Sequence, residues 1–93
     1  MLESIKLALR VTINDFDEEI QGLIDAARRD LAIAGVDKID ETDPLIRRAI
    51  ITYCKANFGY DNPEAERFQR SYDMLKQHLS LSYDYRADVD ATL

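Results

Sequence analysis

The chain has only one cysteine and one histidine among its 93 residues. The lone cysteine, Cys54, cannot form an intrachain disulfide, so we expect a protein that folds in a reducing compartment. Cys54 also falls on the apolar side of a predicted helix, where a free cysteine usually packs as a small hydrophobic residue. His78 has no orienting carboxylate at helical spacing, so a helix-surface histidine is favoured over a catalytic base.

Long apolar runs and motifs for nucleotides or metals are also missing. No stretch approaches the roughly 20 apolar residues that span a bilayer, and residues 2–11 contain Glu3 and precede no cleavage site. No phosphate loop, dinucleotide motif, zinc-protease motif or paired-cysteine motif occurs, and the acidic loop 37–43 lacks the order of a calcium loop. We therefore predict a cytosolic protein with no membrane contact, no catalytic residues, no cofactor and no metal.

Acidic side chains outnumber basic ones by 18 to 12, which gives a formal net charge of −6. This balance argues against sequence-independent binding of nucleic acid, because such binding requires a basic surface. It leaves open a channel through which DNA merely passes. The length predicts one domain, and an apolar fraction of 46% suffices for one modest core.

Glycine and proline are scarce, and the few that occur mark the ends of predicted helices. A first helix over residues 2–10 is too short to be stable alone, so it must dock on another element. The second helix runs over residues 16–34, with Asp15 as its N-cap and Glu18 completing a capping box. Gly35 follows, at the position where a helix-ending glycine is expected.

An aspartate–proline pair, Asp43 and Pro44, starts the third helix, because aspartate caps well and proline fits the first helical turn. Gly59 ends that helix, and Asn62 with Pro63 repeats the start signal for the fourth. Each long helix has one apolar stripe of 3.6-residue period. The stripes are Phe16, Ile20, Leu23, Ile24, Ala27, Leu31 and Ala34; Leu45, Ile46, Ala49, Ile50, Tyr53, Cys54 and Phe58; and Ala65, Phe68, Tyr72, Leu75 and Leu79.

No strand pattern competes with these helices, so the predicted fold is all-α. It is a small bundle of about four helices with short connections, in which two long helices are near-antiparallel. Residues 83–93 show no periodicity. We therefore expect a helical domain over residues 1–82 and a flexible C-terminal tail over 83–93.

Eight residues are candidates for contacts with other subunits. The two arginine pairs among them flank their apolar stripes, where they either form weak surface ion pairs or meet an acidic patch of a neighbour. The two late tyrosines belong either to a loose chain end or to an interface, where exposed tyrosine is enriched. The two apolar residues would anchor the first helix on the bundle or on an adjacent subunit. The set is Ile5, Leu9, Arg28, Arg29, Arg47, Arg48, Tyr83 and Tyr85.

Three stretches, taken in order, resemble one known family. Its opening, a short helix, a turn and an acidic helix start, is similar to residues 5–27, IKLALRVTINDFDEEIQGLIDAA. Its middle helix and turn resemble residues 43–64, DPLIRRAIITYCKANFGYDNPE, and its last helix resembles residues 68–85, FQRSYDMLKQHLSLSYDY. The family is that of the small head-tail connector proteins of tailed bacteriophages and prophages, also called DNA-packaging proteins.

The resemblance implies a structural protein without enzymatic activity or cofactor. Such subunits form a homo-oligomeric ring on the portal protein, in the virion neck, after assembly in the host bacterial cytoplasm. The ring extends the DNA exit channel, offers a surface to the stopper or tail-completion protein, and lets DNA pass without sequence-specific binding. The alternative from another class is a small helical adaptor or transcriptional regulator, acting as a monomer or dimer, with the third helix as its recognition element.

Overall fold

The computed structural model describes residues 1–86, and the fold over that range is all-α. This confirms the predicted class, a small bundle of about four helices. No strand occurs among the described residues. The helices are α1 (Leu2–Leu9), α2 (Asp17–Ile33), α3 (Pro44–Asn57) and α4 (Ala65–Ser80), followed by a short 3₁₀ helix at Tyr83–Tyr85.

The core forms where the apolar stripes of α2, α3 and α4 meet. α3 lies at its centre, because it packs against α1, α2 and α4. Removing these side chains from water is the main force that holds the bundle together, at about 25 cal/mol per Å² of apolar surface. The buried residues are Ile5, Ile20, Ile24, Ala27, Leu31, Val36, Ile46, Ala49, Ile50, Cys54, Tyr72 and Leu79.

A buried lysine fixes α1 onto the rest of the bundle. Lys6 is 5% exposed, and its Nζ lies 2.8 Å from Oδ1 of Asp17 at the start of α2. The same Nζ donates a 2.8 Å hydrogen bond to Oδ1 of Asn14. Arg10 then ends α1 in the left-handed conformation, with a φ of 62°. The predicted docking of the short first helix therefore takes place on its own subunit, against α2 and α3.

The end of α2 and the start of α3 follow the sequence signals. Gly35 has a φ of 100°, and its N–H donates to a carbonyl of the last turn of α2. The carboxylate of Asp43 accepts hydrogen bonds from the backbone N–H groups of Leu45 and Ile46. Pro44 occupies the first helical position. Both predictions are confirmed.

Two other predicted caps are wrong. Asp15 does not cap α2, because Phe16 occupies the N-cap position and makes no side-chain hydrogen bond there. Lys6 contacts the side chains of Asn14 and Asp17 instead, and these contacts shape the turn. Asn62 does not cap α4 either. Its Oδ1 accepts from the N–H of Glu64, while its Nδ2 donates to the carbonyl of Lys55 in α3. These contacts form a turn, and α4 begins only at Ala65.

The chain stays attached to the bundle beyond α4. The carbonyl of Tyr85 accepts hydrogen bonds from the backbone N–H groups of Asp37 and Lys38, at 2.7 and 3.1 Å. Its hydroxyl donates to the carboxylate of Asp43, at 3.0 Å. The start predicted for the tail, residue 83, therefore comes before the last contacts with the bundle. The remainder of the predicted tail, 87–93, lies outside the described residues.

Candidate assembly surfaces

The two arginine pairs divide between internal and external roles. Arg28 forms an ion pair with Glu41 of the loop before α3. Nη2 of Arg47 donates a 3.1 Å hydrogen bond to Oγ of Ser4 in α1. The second member of each pair is exposed and forms no ion pair within residues 1–86. These exposed cations are Arg29 and Arg48.

The apolar and aromatic candidates divide in the same way. Ile5 is fully buried in its own core, and Leu9 and Tyr85 are half-buried against it. Tyr83 is 77% exposed. The most exposed apolar side chain of α1 is Leu7, at 81%, which is not among the eight candidates. A role of the eight candidates in contacts between subunits stays a prediction, with the exposed ones positioned for it.

A groove with an apolar floor lies between the outer sides of α3 and α4. It encloses about 450 Å³. Its position follows from the packing of α3 on α4, which buries Tyr72 and Cys54 but leaves the edges of both apolar stripes uncovered. The floor consists of Leu45, Ile51, Phe68 and Leu75, of which Leu45 is 40% exposed and the others half-buried.

The charged side chains that line this α3–α4 groove are all cations: Arg48, Lys55 and Arg67. The Nζ of Lys55 lies 5.6 Å from the ring centroid of Phe68, and the guanidinium of Arg67 lies 4.7 Å from it. Arg67 also pairs with Glu64, which lies outside the lining. In a chain of net charge −6, this groove is a local basic surface.

The exposed side of α2 has the opposite character. We define the α2 outer face as Glu18, Gly22, Asp25, Ala26 and Arg29, all exposed. It lies opposite the buried stripe of the helix, and its first half is acidic. Nε2 of Gln21 donates to Oδ1 of Asp25 along this side, at 3.0 Å.

Three aromatic rings cluster at one end of the bundle, of which Phe16 and Tyr60 are exposed and Phe58 is half-buried. Phe16 and Phe58 contact each other edge to face, with ring centroids 5.6 Å apart. They line a depression of about 480 Å³ together with Tyr60, which is fully exposed. Phe16 was predicted to be a core residue, but it is 40% exposed because it lies at the open end of the stripe.

A family model described as phage connector protein matches residues 1–86. The chain belongs to this family. The match covers all four α-helices and the three stretches that suggested the resemblance. Phage connectors are structural, virion-associated proteins that assemble with other phage components. No curated protein and no solved structure matches the chain.

Cys54 and His78, the reactive side chains of the connector, lie in the core and on the surface respectively. Burial raises the pKa of the Cys54 thiol to about 12, so this side chain behaves as the predicted core residue. His78 is exposed on α4, as predicted. Within residues 1–86, no group of three or more His, Cys, Asp or Glu side chains is placed to hold a metal ion. Over the same range, no helix combines the length and apolarity that crossing a membrane requires.

The α3–α4 groove is the part of the connector that sequence analysis missed. Leu45, Phe68 and Leu75 have core spacing, so periodicity assigned them to the buried stripes. Periodicity does not reveal where one helix stops covering another. The signal that was available is the clustering of Arg48, Lys55 and Arg67 beside those apolar positions once α3 and α4 are paired antiparallel.

Proposed function

We propose that this connector is one subunit of a ring that binds the portal of a tailed-phage head. The ring lies in the virion neck, continues the DNA exit channel and presents a docking surface to the stopper or tail-completion protein. The observation on which the proposal depends is the connector-family match over residues 1–86. The role requires no catalytic residue and no cofactor.

The surface of the subunit supports a repeating head-to-tail contact. Its α2 outer face begins acidic, whereas its α3–α4 groove is lined only by cations among its charged side chains. Two different and complementary surfaces on one chain suit a heterologous contact, which closes into a ring when the rotation between subunits permits. A two-fold dimer would instead require a single self-complementary surface.

The charge of the chain supports passage of DNA rather than its capture. A ring of subunits that each have a net charge of −6 repels the phosphate backbone overall. Strong contacts to phosphates would slow DNA transit and would make binding strongly dependent on salt. Arg48, Lys55 and Arg67 lie together in the groove, where a protein partner can neutralise them.

The decisive test combines light scattering with electron microscopy. The purified connector is measured alone and after mixing with the portal protein of the same phage, at increasing connector concentrations. A ring on the portal, or a free ring that binds it, is the expected result. A connector that remains a monomer or dimer and leaves the mass of the portal unchanged at high concentration refutes the proposal.

The second candidate function is a small DNA-binding regulator, favoured only by the cationic groove. Arg48, Lys55 and Arg67 are the residues that would contact phosphates. α3 is poorly placed as a recognition helix, because Ala49, Ile50 and Cys54 are buried in the core. Salt-dependent binding of duplex DNA by the purified chain, lost when Arg48 and Lys55 are replaced by glutamine, would favour the regulator.

A further inference from the structure

Gly22 lies in the middle of α2 on its outer face, and nothing in the subunit explains it. A Cβ atom at this position would have no heavy atom within 4 Å, and the residue is exposed. Glycine inside a helix costs about 1 kcal/mol relative to alanine. The exposed Ala26, one turn further on, also has a small side chain, so the helix surface has little height over both turns. A helix side of this shape permits close approach by another molecule.

The charges beside Gly22 are opposite in sign to those of the α3–α4 groove. Glu18 and Asp25 flank the glycine at adjacent turns, and Arg48 and Lys55 line the groove at positions seven residues apart on α3. Carboxylates meeting these cations would neutralise side chains that form no ion pair in the isolated subunit over residues 1–86.

The dimensions of the two surfaces also agree. The α2 outer face from Glu18 to Arg29 spans roughly 17 Å at the rise of an α-helix. The groove along α3, from Leu45 to Lys55, spans roughly 15 Å by the same measure. One helix lying along the groove would therefore cover its apolar floor.

We propose that the α2 outer face of one connector subunit lies in the α3–α4 groove of the next subunit. The proposal rests on the proposed ring function and names the surfaces that make the ring. Gly22 allows the backbone of α2 to approach Phe68 and Ile51, while Glu18 and Asp25 meet the cations at the rim. The contact uses different surfaces on the two copies, as a closed ring requires.

Cysteine cross-linking tests the contact directly. The Ala26→Cys and Ser71→Cys changes place one exposed thiol on each surface without filling the space at Gly22, and buried Cys54 remains unreactive. Two chains, each with one of these changes, are mixed with the portal under a mild oxidant. A heterodimer band on a non-reducing gel is the expected result, because a disulfide forms only when the two Cα atoms lie within about 7 Å.

The matched control replaces Ser71→Cys by Gln77→Cys. Gln77 is exposed on another side of α4 and does not line the groove, so this pair should not cross-link. Equal cross-linking of both pairs, or of neither pair, overturns the proposed contact. A groove filled instead by the portal, or by residues 87–93 of the chain, would give that negative result.

A charge exchange gives a second and independent readout. Glu18→Arg with Asp25→Arg on one chain, or Arg48→Glu with Lys55→Glu on another, should each reduce ring formation at least tenfold. Mixing the two variants should restore assembly with the two chains alternating, because each face then meets a groove of opposite charge on the other chain, whereas neither variant alone assembles. Variants that assemble normally on the portal overturn the proposed contact.

Failure of this contact is distinguishable from failure of the ring function. Electron microscopy of the unmodified connector with its portal reports the ring, whatever surfaces make it. A ring without the cross-link from Ala26→Cys to Ser71→Cys leaves the proposed function standing and refutes the contact. Absence of any ring refutes both.

Discussion

Removing one hydroxyl group should weaken the junction between α2 and α4. The hydroxyl of the buried Tyr72 donates a 2.6 Å hydrogen bond to Oδ2 of Asp30, and the Nζ of Lys76 donates to the same oxygen at 2.9 Å. The Tyr72→Phe change keeps the ring and its edge-to-face contact with Tyr53, whose centroid lies 5.1 Å away. It therefore removes the hydrogen bond with little change in packing.

The expected loss follows from the charge and exposure of the acceptor. A hydrogen bond to a charged group contributes about 1.5–3 kcal/mol. The side chain of Asp30 is 37% exposed and keeps Lys76 as a partner, so the contribution lies around the lower end of that range. We expect Tyr72→Phe to lower the free energy of unfolding by about 1–2 kcal/mol, or the melting temperature by about 4–8 °C per kcal/mol.

Urea unfolding followed by circular dichroism measures this loss, and Tyr60→Phe is the matched control. Tyr60 is fully exposed, so its change should shift the free energy of unfolding by less than about 0.5 kcal/mol. A double-mutant cycle with Asp30→Asn should give a coupling of about 1 kcal/mol between Tyr72 and Asp30. Additive effects of the two changes would refute the reasoning, because they would mean that the hydrogen bond contributes nothing.

Acid should reduce the difference between the wild type and Tyr72→Phe. Burial raises the pKa of Asp30. The hydrogen bonds from Tyr72 and Lys76, together with the charge of Lys76, lower it by more than burial raises it, so the pKa lies below its usual value. A carboxylate with a lowered pKa stabilises the fold above its unfolded pKa of about 3.9, and this contribution is lost as pH falls through the folded pKa. The gap should be complete at pH 6 and shrink below pH 4. A gap that widens as the pH falls towards 3 contradicts this account.

Three further changes test other parts of the subunit. Lys6→Met should lower the free energy of unfolding by about 1–3 kcal/mol, since it leaves the partly buried Asp17 without its cation, and amide exchange should rise in α1. Arg10→Gly should raise the free energy of unfolding by about 0.5 kcal/mol in urea unfolding, because Arg10 has a φ of 62°, which glycine adopts without strain. The raised pKa of Cys54 makes the fold lose stability above the unfolded thiol pKa of 9.0, by about 1.4 kcal/mol at pH 10. Cys54→Ala should remove that part of the alkaline loss, and an unchanged slope between pH 8 and pH 10 would exclude the thiol as its source.

Local signals predicted the helix ends that depend on local contacts. Asp43 caps α3 through its own backbone neighbours, and Gly35 closes α2 with a conformation that glycine adopts at little cost. The two wrong caps, Asp15 and Asn62, failed for a common reason. In each case a residue outside the capping motif, Lys6 or Lys55, engages the turn, and capping rules compare only positions three or four residues apart.

The same limit applies to the candidate interface residues. Arg28 and Arg47 resemble their exposed neighbours in sequence, yet their partners lie 13 and 43 residues away along the chain. Tyr85 binds Asp43 across 42 residues. Periodicity predicted which helix faces are apolar, but only tertiary packing determines which polar side chain at the edge of a stripe finds a partner inside the subunit.

A residue that lowers the stability of a subunit, or that has no partner inside it, can indicate where a neighbouring subunit binds. Gly22 weakens α2 without relieving any clash, and Arg48 lies beside apolar side chains without an ion pair in the described range. In the isolated subunit, glycine costs α2 helix stability and Arg48 has no carboxylate partner within residues 1–86. Assembly gives both a physical reason, because a low helix surface and an uncompensated cation become favourable once a second copy supplies the backbone and the carboxylates opposite them. On this reasoning the stability of a Gly22→Ala subunit and its capacity to assemble should change in opposite directions.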